Sequence, residues 1–330
     1  MNDFESVVSR RRNDMYWLAH APSNIALIKY MGKKDEEGNI PDNPSLSYTL
    51  NDLISTVRLE KISSKKDIWE PLIVPGAIAE FLLSAEAQKR FTRHLARMKD
   101  FFEYESGFLI QSCNNFPMSS GMASSASSFA ALTRCATIAL SELTQKPMPS
   151  VDEQAQLSRL GSGSSCRSFY SPWALWTENE VKAVDLPYQE LIHQGVVISN
   201  KKKEVSSREA HRRVKSSPFY AVRSQSAEEN LKLLLDALRI KDWAAAYHIC
   251  WREFQEMHRL FSTCEQPFSY MTEKSLDLLH ILEDFWEKKG DGPIVTMDAG
   301  PNIHLLYRSD QTEIALEFKR NYLVGNYDVV

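Results

Sequence analysis

Several short stretches of this 330-residue chain set reactive residue types beside residues that let a ligand come close. The first is "NNFPMSSGMASSASSFAAL" (114–132). Its small residues Ser119, Ser120, Gly121, Met122 and Ala123 allow backbone N–H groups to approach a ligand. A helix predicted from about Met122 turns its positive dipole end to the same place. Together these make an anion site, most naturally for the phosphates of a nucleotide. Ser124 and Ser125 add hydroxyls for phosphate oxygens or a bound Mg²⁺. The same spelling also suits a serine N-cap ahead of an Ala-rich packing helix, and spacing alone does not separate the two readings.

A second small-residue stretch, "GSGSSCRS" (161–168), carries a fixed cation, Arg167, whose planar fork matches carboxylate or phosphate. A Gly/Ser turn with a surface arginine is the plain alternative. Two such stretches in one chain favour a ligand with two anionic ends. In "NIALIKYMGKKD", Lys29 alternates with Ala26 and Ile28 and can face a cavity, or with Lys33 and Lys34 can be ordinary surface charge. "TMDAGPN" ends an apolar run on Asp298, just before a small-residue turn. A carboxylate there can orient or deprotonate a hydroxyl, its charge state tuned by a nearby lysine or arginine. It can equally bond the backbone of its own turn. "CWREFQEMH" (250–258) has His258 and acids at helical spacing, but no HxxxH or HExxH, which argues against a histidine-built metal centre. Trp251 and Phe254 read as core.

Composition narrows the classes. A net charge of −4 gives no basic face for nucleic acid, and Arg10–Arg12 and Lys201–Lys203 read as solvated charge. Five scattered cysteines without a CxxC pair argue against a disulfide framework or zinc site and for a reducing compartment. The N-terminus lacks the apolar core of a signal peptide, and no segment approaches an 18-residue apolar run, so a cytoplasmic protein without a membrane span is expected.

The elements that must position these residues follow from periodicity. Residues 15–32 read as two strand pieces around Pro22, 45–62 as a long strand or hairpin, and 107–115 as a strand. Helical spacing covers 76–102, 122–142 and 151–160, and 161–168 reads as a loop. After 195–203, a buried strand followed by polar residues, helices are predicted at 206–238, 241–261 and 272–289, broken near Pro218 and Pro267. Two strands around a tight turn (293–310) and a last helix (311–322) close the chain. A strand-rich first half and helix-rich second half suggest an α+β chain of two packed lobes, 1–187 and 188–330.

Taken in order, "APSNIALIKYMGK", "PDNPSLSYTL", "NNFPMSSGMASSASSFAAL", "GSGSSCRSFY", "SSREAHRRVKSSPFY" and "DAGPN" resemble the diphosphomevalonate decarboxylase family of the GHMP kinase superfamily. The resemblance spans nearly the whole chain. It implies an N-terminal ATP-binding lobe like ribosomal protein S5 domain 2, a C-terminal ferredoxin-like lobe and a cleft between them. It also implies that ATP phosphorylates the 3-hydroxyl of (R)-5-diphosphomevalonate, with loss of phosphate and CO₂ giving isopentenyl diphosphate. ATP and Mg²⁺ would meet the loop from Ser119 to Ser125, with Ser125 at the metal. Tyr30, Met31, Gly32 and Lys33 would line the diphosphate pocket, supported by Asn24 and reached by Arg208. Ser162, Gly163, Ser164, Ser165 and Cys166 would line the substrate, and Arg167 would hold its carboxylate. Lys29 would stand beside the reacting centre, and Asp298 would orient, or deprotonate, the 3-hydroxyl. A homodimer is expected by the same resemblance. Met31 stands where tryptophan is usual, His211 where methionine is common, and Met118-Ser119-Ser120 replaces a Thr-Ala-Ala type sequence. Met31 and His211 bear on the length of phosphate chain recognised. The alternatives are a kinase or monophosphate decarboxylase of the superfamily, or a non-catalytic nucleotide-binding relative.

Overall fold

The computed structural model describes residues 7–11, 14–74, 83–117, 124–199, 201 and 203–330. Ser119, Ser120, Gly121, Met122 and Ala123 lie outside the described residues, as does 76–82 of the predicted first helix. Along the first part run β1 (Val7–Arg11), β2 (Asp14–Ala26), β3 (Lys33–Asp35), β4 (Ile40–Pro41), β5 (Ser45–Lys61), β6 (Ile68–Pro71), β7 (Phe108–Asn114), β8 (Trp173–Trp176) and β9 (Val181–Ala183). Its helices are α1 (Ala85–Phe102), α2 (Ser124–Thr144) and α3 (Val151–Gly161). Seven strands form one sheet, ordered β1-β2-β5-β7-β6, with β8 on β5 and β9 on β8; β3 and β4 pair separately.

The long strands follow from alternation. On β2, Trp17, Ala19 and Ala21 are buried, and on β5 Val57 and Leu59 are buried while Arg58 and Glu60 between them are partly exposed. The expected kink at Pro22 is a shift in register: Pro22 faces Ile54, but Ser23 faces Leu50. Proline has no N–H to give the ladder, so pairing is interrupted there. Helix α2 packs its small residues Ala126, Ala130, Ala131 and Ala139 against the sheet, with Phe129 and Leu132 filling the layer between. Two of its serines also face inward. Ser127 and Ser128 lie 2.7 and 3.1 Å from the hydroxyl of Ser55, which donates to Asn114 at 2.7 Å. These buried hydroxyls are hydrogen-bonded to the sheet, as buried polar groups must be.

The second part carries β10 (Leu191–Val197), β11 (Ile294–Met297), β12 (Ile303–Arg308) and β13 (Asp328–Val329) as an antiparallel sheet ordered β11-β12-β10-β13. Around it lie α4 (Ser207–Arg213), α5 (Tyr220–Arg239), α6 (Trp243–Thr263), α7 (Glu273–Lys289) and α8 (Thr312–Phe318). The two parts share one core: Leu46, Tyr48 and Leu50 of β5 join Leu234, Phe254, Met297 and Leu305. That shared core explains why the first six residues of β5 are all buried while the rest alternate.

Two expectations need correction. Residues 163–169 form a 3-10 helix rather than a loop, because Ser165, Cys166, Arg167 and Ser168 are all buried and the backbone must satisfy itself. The last helix is shorter than 311–322 and passes into a π-type turn over 319–323.

Gly161, at the end of α3, shows how tightly these layers meet. A methyl group there would lie 2.2 Å from the Phe129 ring and 2.9 Å from His94, with the Phe91 ring tilted against Phe129 at 5.0 Å between centroids. Helix propensity alone would favour alanine by about 1 kcal/mol, whereas overpacking costs about 1–3 kcal/mol. Gly161→Ala is therefore expected to lower the urea midpoint; an unchanged or higher midpoint would show that the layers give way freely.

Candidate active site

The two parts meet chemically at Lys29 and Asp298. The strand pairing of β2 ends at Ala26, and the next two N–H groups, of Leu27 and Ile28, both donate to the carbonyl of Leu46 at 2.8 and 3.2 Å. This turn drives Lys29 inward, where its side chain is 2% exposed and its Nζ lies 2.7 Å from Asp298 Oδ1. Asp298 is set by the turn after β11. Asn302 accepts from Ile198 and Ser199 at 2.7 and 3.1 Å, and Ser275 donates to the Pro301 carbonyl at 3.0 Å, so this turn is pinned to its neighbours.

Burial alone would raise the Asp298 carboxyl, but Lys29, His304 and Arg167 outweigh it and hold the group below the usual carboxylate range. Burial dominates at Lys29 and lowers its ammonium despite the attraction of Asp298. Asp298 is thus an ionised, paired carboxylate at neutral pH, suited to accepting a hydrogen bond and fixing a hydroxyl. His258 of α6 stands behind it, its Nε2 3.1 Å from the Asp298 carbonyl oxygen. Burial pushes His258 down to about 4, so it is neutral there.

Arg167, on the 3-10 helix, is 4% exposed and donates to Asn24 Oδ1 at 3.1 Å and Ser45 Oγ at 2.7 Å. Asn24 is itself fixed by donating to Ser168 Oγ at 2.8 Å and to the Ser164 carbonyl at 3.3 Å. A buried guanidinium whose hydrogen bonds go to neutral oxygens is prepared for an anion. Ser162 reaches Ser125 Oγ at 3.3 Å and so joins the two serine-rich stretches. Ser165 and Cys166 turn into the fold instead. Ser165 bonds the Ser162 carbonyl at 2.6 Å, and the Cys166 thiol, pushed up by burial to about 12, bonds the Gly163 carbonyl at 3.1 Å. Gly163 lets Tyr30 and Trp176 close in, since a methyl group there would meet them at 3.0 and 3.2 Å.

The Tyr30 ring lies 4.6 Å from Trp176 and 4.5 Å from His211, and its buried hydroxyl has no hydrogen-bond partner among the described residues. Gly32 has φ +100° and gives its N–H to His211 Nδ1 at 3.0 Å, which leaves the neutral ring's proton on Nε2. Met31 is buried in an apolar cluster that includes Ala210, Val214 and Phe261. Lys33 is 6% exposed, bonds Asn39 at 2.7 Å and has Glu36 at 3.8 Å. Burial and the charges of Arg208, Arg90 and Arg212 lower its ammonium, with Glu36 opposing them. Cations outnumber acids here, and Arg208 projects exposed from the first turn of α4. Ser124 and Ser125 open α2, whose first turn holds no acid to compete with a bound anion.

Sequence reasoning did not find Glu253, Arg223 or Arg90. Arg90 sits on α1, and its guanidinium donates to the Gly161 carbonyl at 3.2 Å; nothing in its spelling separates it from surface charge. Among the described residues no cluster of His, Cys, Asp or Glu could hold a metal, and no helix is long and apolar enough to cross a membrane.

Comparison with known proteins agrees with this geometry. Residues 21–185 match the diphosphomevalonate decarboxylase-like N-terminal domain, and residues 195–329 match the mevalonate 5-diphosphate decarboxylase C-terminal domain. The chain is 30% identical over 317 residues to diphosphomevalonate decarboxylase mvd1 of Aspergillus fumigatus, covering 89% of this chain and 77% of that one. It is 69% identical to a mevalonate diphosphate decarboxylase of Legionella pneumophila of known structure, with a TM-score of 0.91 over 96% of this chain and all of the other. A structure of MDDEF in complex with MVAPP, AMPPCP and magnesium superposes with a TM-score of 0.84 at 27% identity, covering 96% of each chain. The fold is accordingly the two-lobed α+β fold of GHMP-type mevalonate decarboxylases, and the chain belongs to the diphosphomevalonate decarboxylase family.

Proposed function

We propose that this chain carries out its family's reaction, the ATP-dependent decarboxylation of (R)-5-diphosphomevalonate to isopentenyl diphosphate in the mevalonate route to isoprenoids. The observation that carries this reading is the Lys29–Asp298 ion pair, with buried Arg167 nearby. The cationic group around Lys33 and the start of α2 supply a place for each of two phosphate-bearing ligands. The MVAPP and AMPPCP bound by MDDEF are a pair of that kind.

In this reading Tyr30, Lys33 and Arg208 take the substrate's diphosphate, with Gly32 shaping the backbone beside them, and Arg167 takes its carboxylate. Ser124 and Ser125 meet the nucleotide. The exposed Ser125 hydroxyl fits a magnesium ion, because hydroxyl and phosphate oxygens are the ligands that hard cation prefers. Bound there with the nucleotide's phosphates, the ion neutralises their charge. Asp298 accepts a hydrogen bond from the 3-hydroxyl and aims its oxygen at the γ-phosphorus. Lys29 keeps that carboxylate ionised and stands beside the negative charge that arrives with the phosphoryl group. The hydroxyl oxygen forms a bond to the γ-phosphorus as the bond from that phosphorus to the bridging oxygen breaks and ADP leaves, and the hydroxyl proton passes by way of the Asp298 carboxylate to solvent. The C3–O bond then breaks with phosphate leaving, and the C1–C2 electrons become the C2–C3 double bond as CO₂ departs. Asn24 and Ser45, by fixing Arg167, hold the carboxylate in line for that step.

The boundary between lobes is placed at 187/188, supported by the change of sheet between β9 and β10. A homodimer is part of the same proposal on the family resemblance, and a cytoplasmic location is supported by five buried, unpaired cysteines.

Incubation with ATP, Mg²⁺ and mevalonate, its 5-phosphate or its 5-diphosphate tests the reading. ADP and CO₂ in equal amounts, from the 5-diphosphate, are expected. ADP without CO₂ from every substrate would instead make the protein a kinase, and neither product would leave a nucleotide-binding relative. Asp298→Ala is expected to keep nucleotide affinity while kcat falls about 10²–10⁴-fold; near-normal turnover would remove Asp298 from the chemistry. Asn24→Ala is expected to raise KM for the diphosphate substrate and not for ATP; equal KM values in variant and parent would sever Asn24 from Arg167's role.

A further inference from the structure

Behind Lys29 lies a second ion pair that the reaction as described does not use. Glu253 of α6 is fully buried and Arg223 of α5 is 3% exposed. The carboxylate of Glu253 accepts from the Lys29 N–H at 2.9 Å and from the Arg223 guanidinium, and its other oxygen takes Asn230 Nδ2 at 2.6 Å. The same guanidinium donates to the Lys29 carbonyl at 2.9 Å, where Asn43 Nδ2 also donates at 2.8 Å. Both backbone polar groups of Lys29 are therefore held by one buried ion pair from the other part of the chain. Helix α6 does more than this. Its Glu253 grips Lys29, while its His258 lies against the carbonyl of Asp298. One helix thus fixes both partners of the reacting pair.

A buried ion pair is a weak source of stability compared with well-packed apolar residues. Here it also meets a local need. The Lys29 peptide has left the sheet ladder, and its buried N–H and C=O would otherwise want partners. We propose that Glu253 and Arg223 are positioning residues for the phosphoryl-transfer step: they fix the Lys29 backbone so that its ammonium meets Asp298, and Glu253 supplies a second negative charge behind that ammonium. This rests on the assignment of Lys29 and Asp298 to the reaction above.

The charges facing Lys29 are Asp298 after β11, Arg167 of the 3-10 helix, Arg223 of α5, and Glu253 and neutral His258 of α6, with the Cys250 thiol beside them. Burial and Arg167 lower the Lys29 ammonium, while Asp298 and Glu253 raise it. Removing the charge of Glu253 must then let Lys29 lose its proton at lower pH. In Glu253→Gln, kcat is expected to fall about 10- to 100-fold, with KM for ATP within about twofold and the alkaline limb of kcat moved to lower pH. In Arg223→Met the negative charge stays and its positive partner goes, so kcat falls while the alkaline limb holds or moves to higher pH. A merely structural pair would lower the melting temperature and leave both limbs where they are. Parental kcat in Glu253→Gln, or an unmoved limb in it, overturns the proposal. Should that variant fail to fold, Arg223→Met decides: parental kcat or a limb moved to lower pH overturns it. Lys29→Met separates the two readings, because its normal turnover would refute the role of Lys29 whatever Glu253 does.

Discussion

The ion pair between Lys29 and Asp298 is the constraint from which the rest of this structure follows. One partner follows the end of β2 in the N-terminal sheet, and the other directly follows β11 in the C-terminal sheet. Bringing them to 2.7 Å requires the two sheets to be in register across the shared core. It also requires a low-exposure pocket, and that pocket sets the electrostatics. Burial weakens the hold of Lys29 on its proton, and the surrounding cations keep Asp298 ionised. An ionised carboxylate far below neutral pH is a poor proton store but a good hydrogen-bond acceptor, which points to orientation as its main service.

Much of the site was legible because its chemistry is spelled in short segments. Asp298, at the end of an apolar strand before Gly and Pro, and Lys29, alternating with Ala26 and Ile28, were legible as candidates that plain structural readings also fitted, and it was the family resemblance that gave them roles. The stretch 161–168 was legible as a cation carrier but not as a helix, since its Gly and Ser spell a loop and burial overrides that local preference. Glu253 was legible only as one of the acids at helical spacing in 250–258 and not as part of the site, although a sharper signal exists. On α6 the buried positions include Cys250, Phe254, Met257 and Phe261, and Glu253 falls within that stripe. An acid on the apolar face of an amphipathic helix marks a buried partner elsewhere. That partner, the Lys29 backbone, lies 224 residues away, and no local pattern reveals it.

Of the six serines of 114–132, the described ones divide into separate duties. Ser127 and Ser128 are structural, closing a hydroxyl network with Ser55 and Asn114 between the helix and the sheet. Ser125 faces Ser162 and so links the first small-residue stretch to the second. Met31, which replaces a tryptophan usual in the family, fills an apolar cluster with Ala210 and Phe261. His211 by contrast touches residues 30–32, through the Gly32 N–H and the Tyr30 ring. Of these two departures from the family's pattern, His211 is the one that contacts Tyr30 and Gly32.

If Lys29 and Asp298 act as one unit, removing the second partner must cost little once the first is gone. A double-mutant cycle on kcat with Lys29→Met, Asp298→Asn and the combined variant measures this coupling directly. A combined variant about as slow as the slower single variant is expected. Losses that multiply across the two positions would show that each acts alone, and would contradict the pairing on which the site is built.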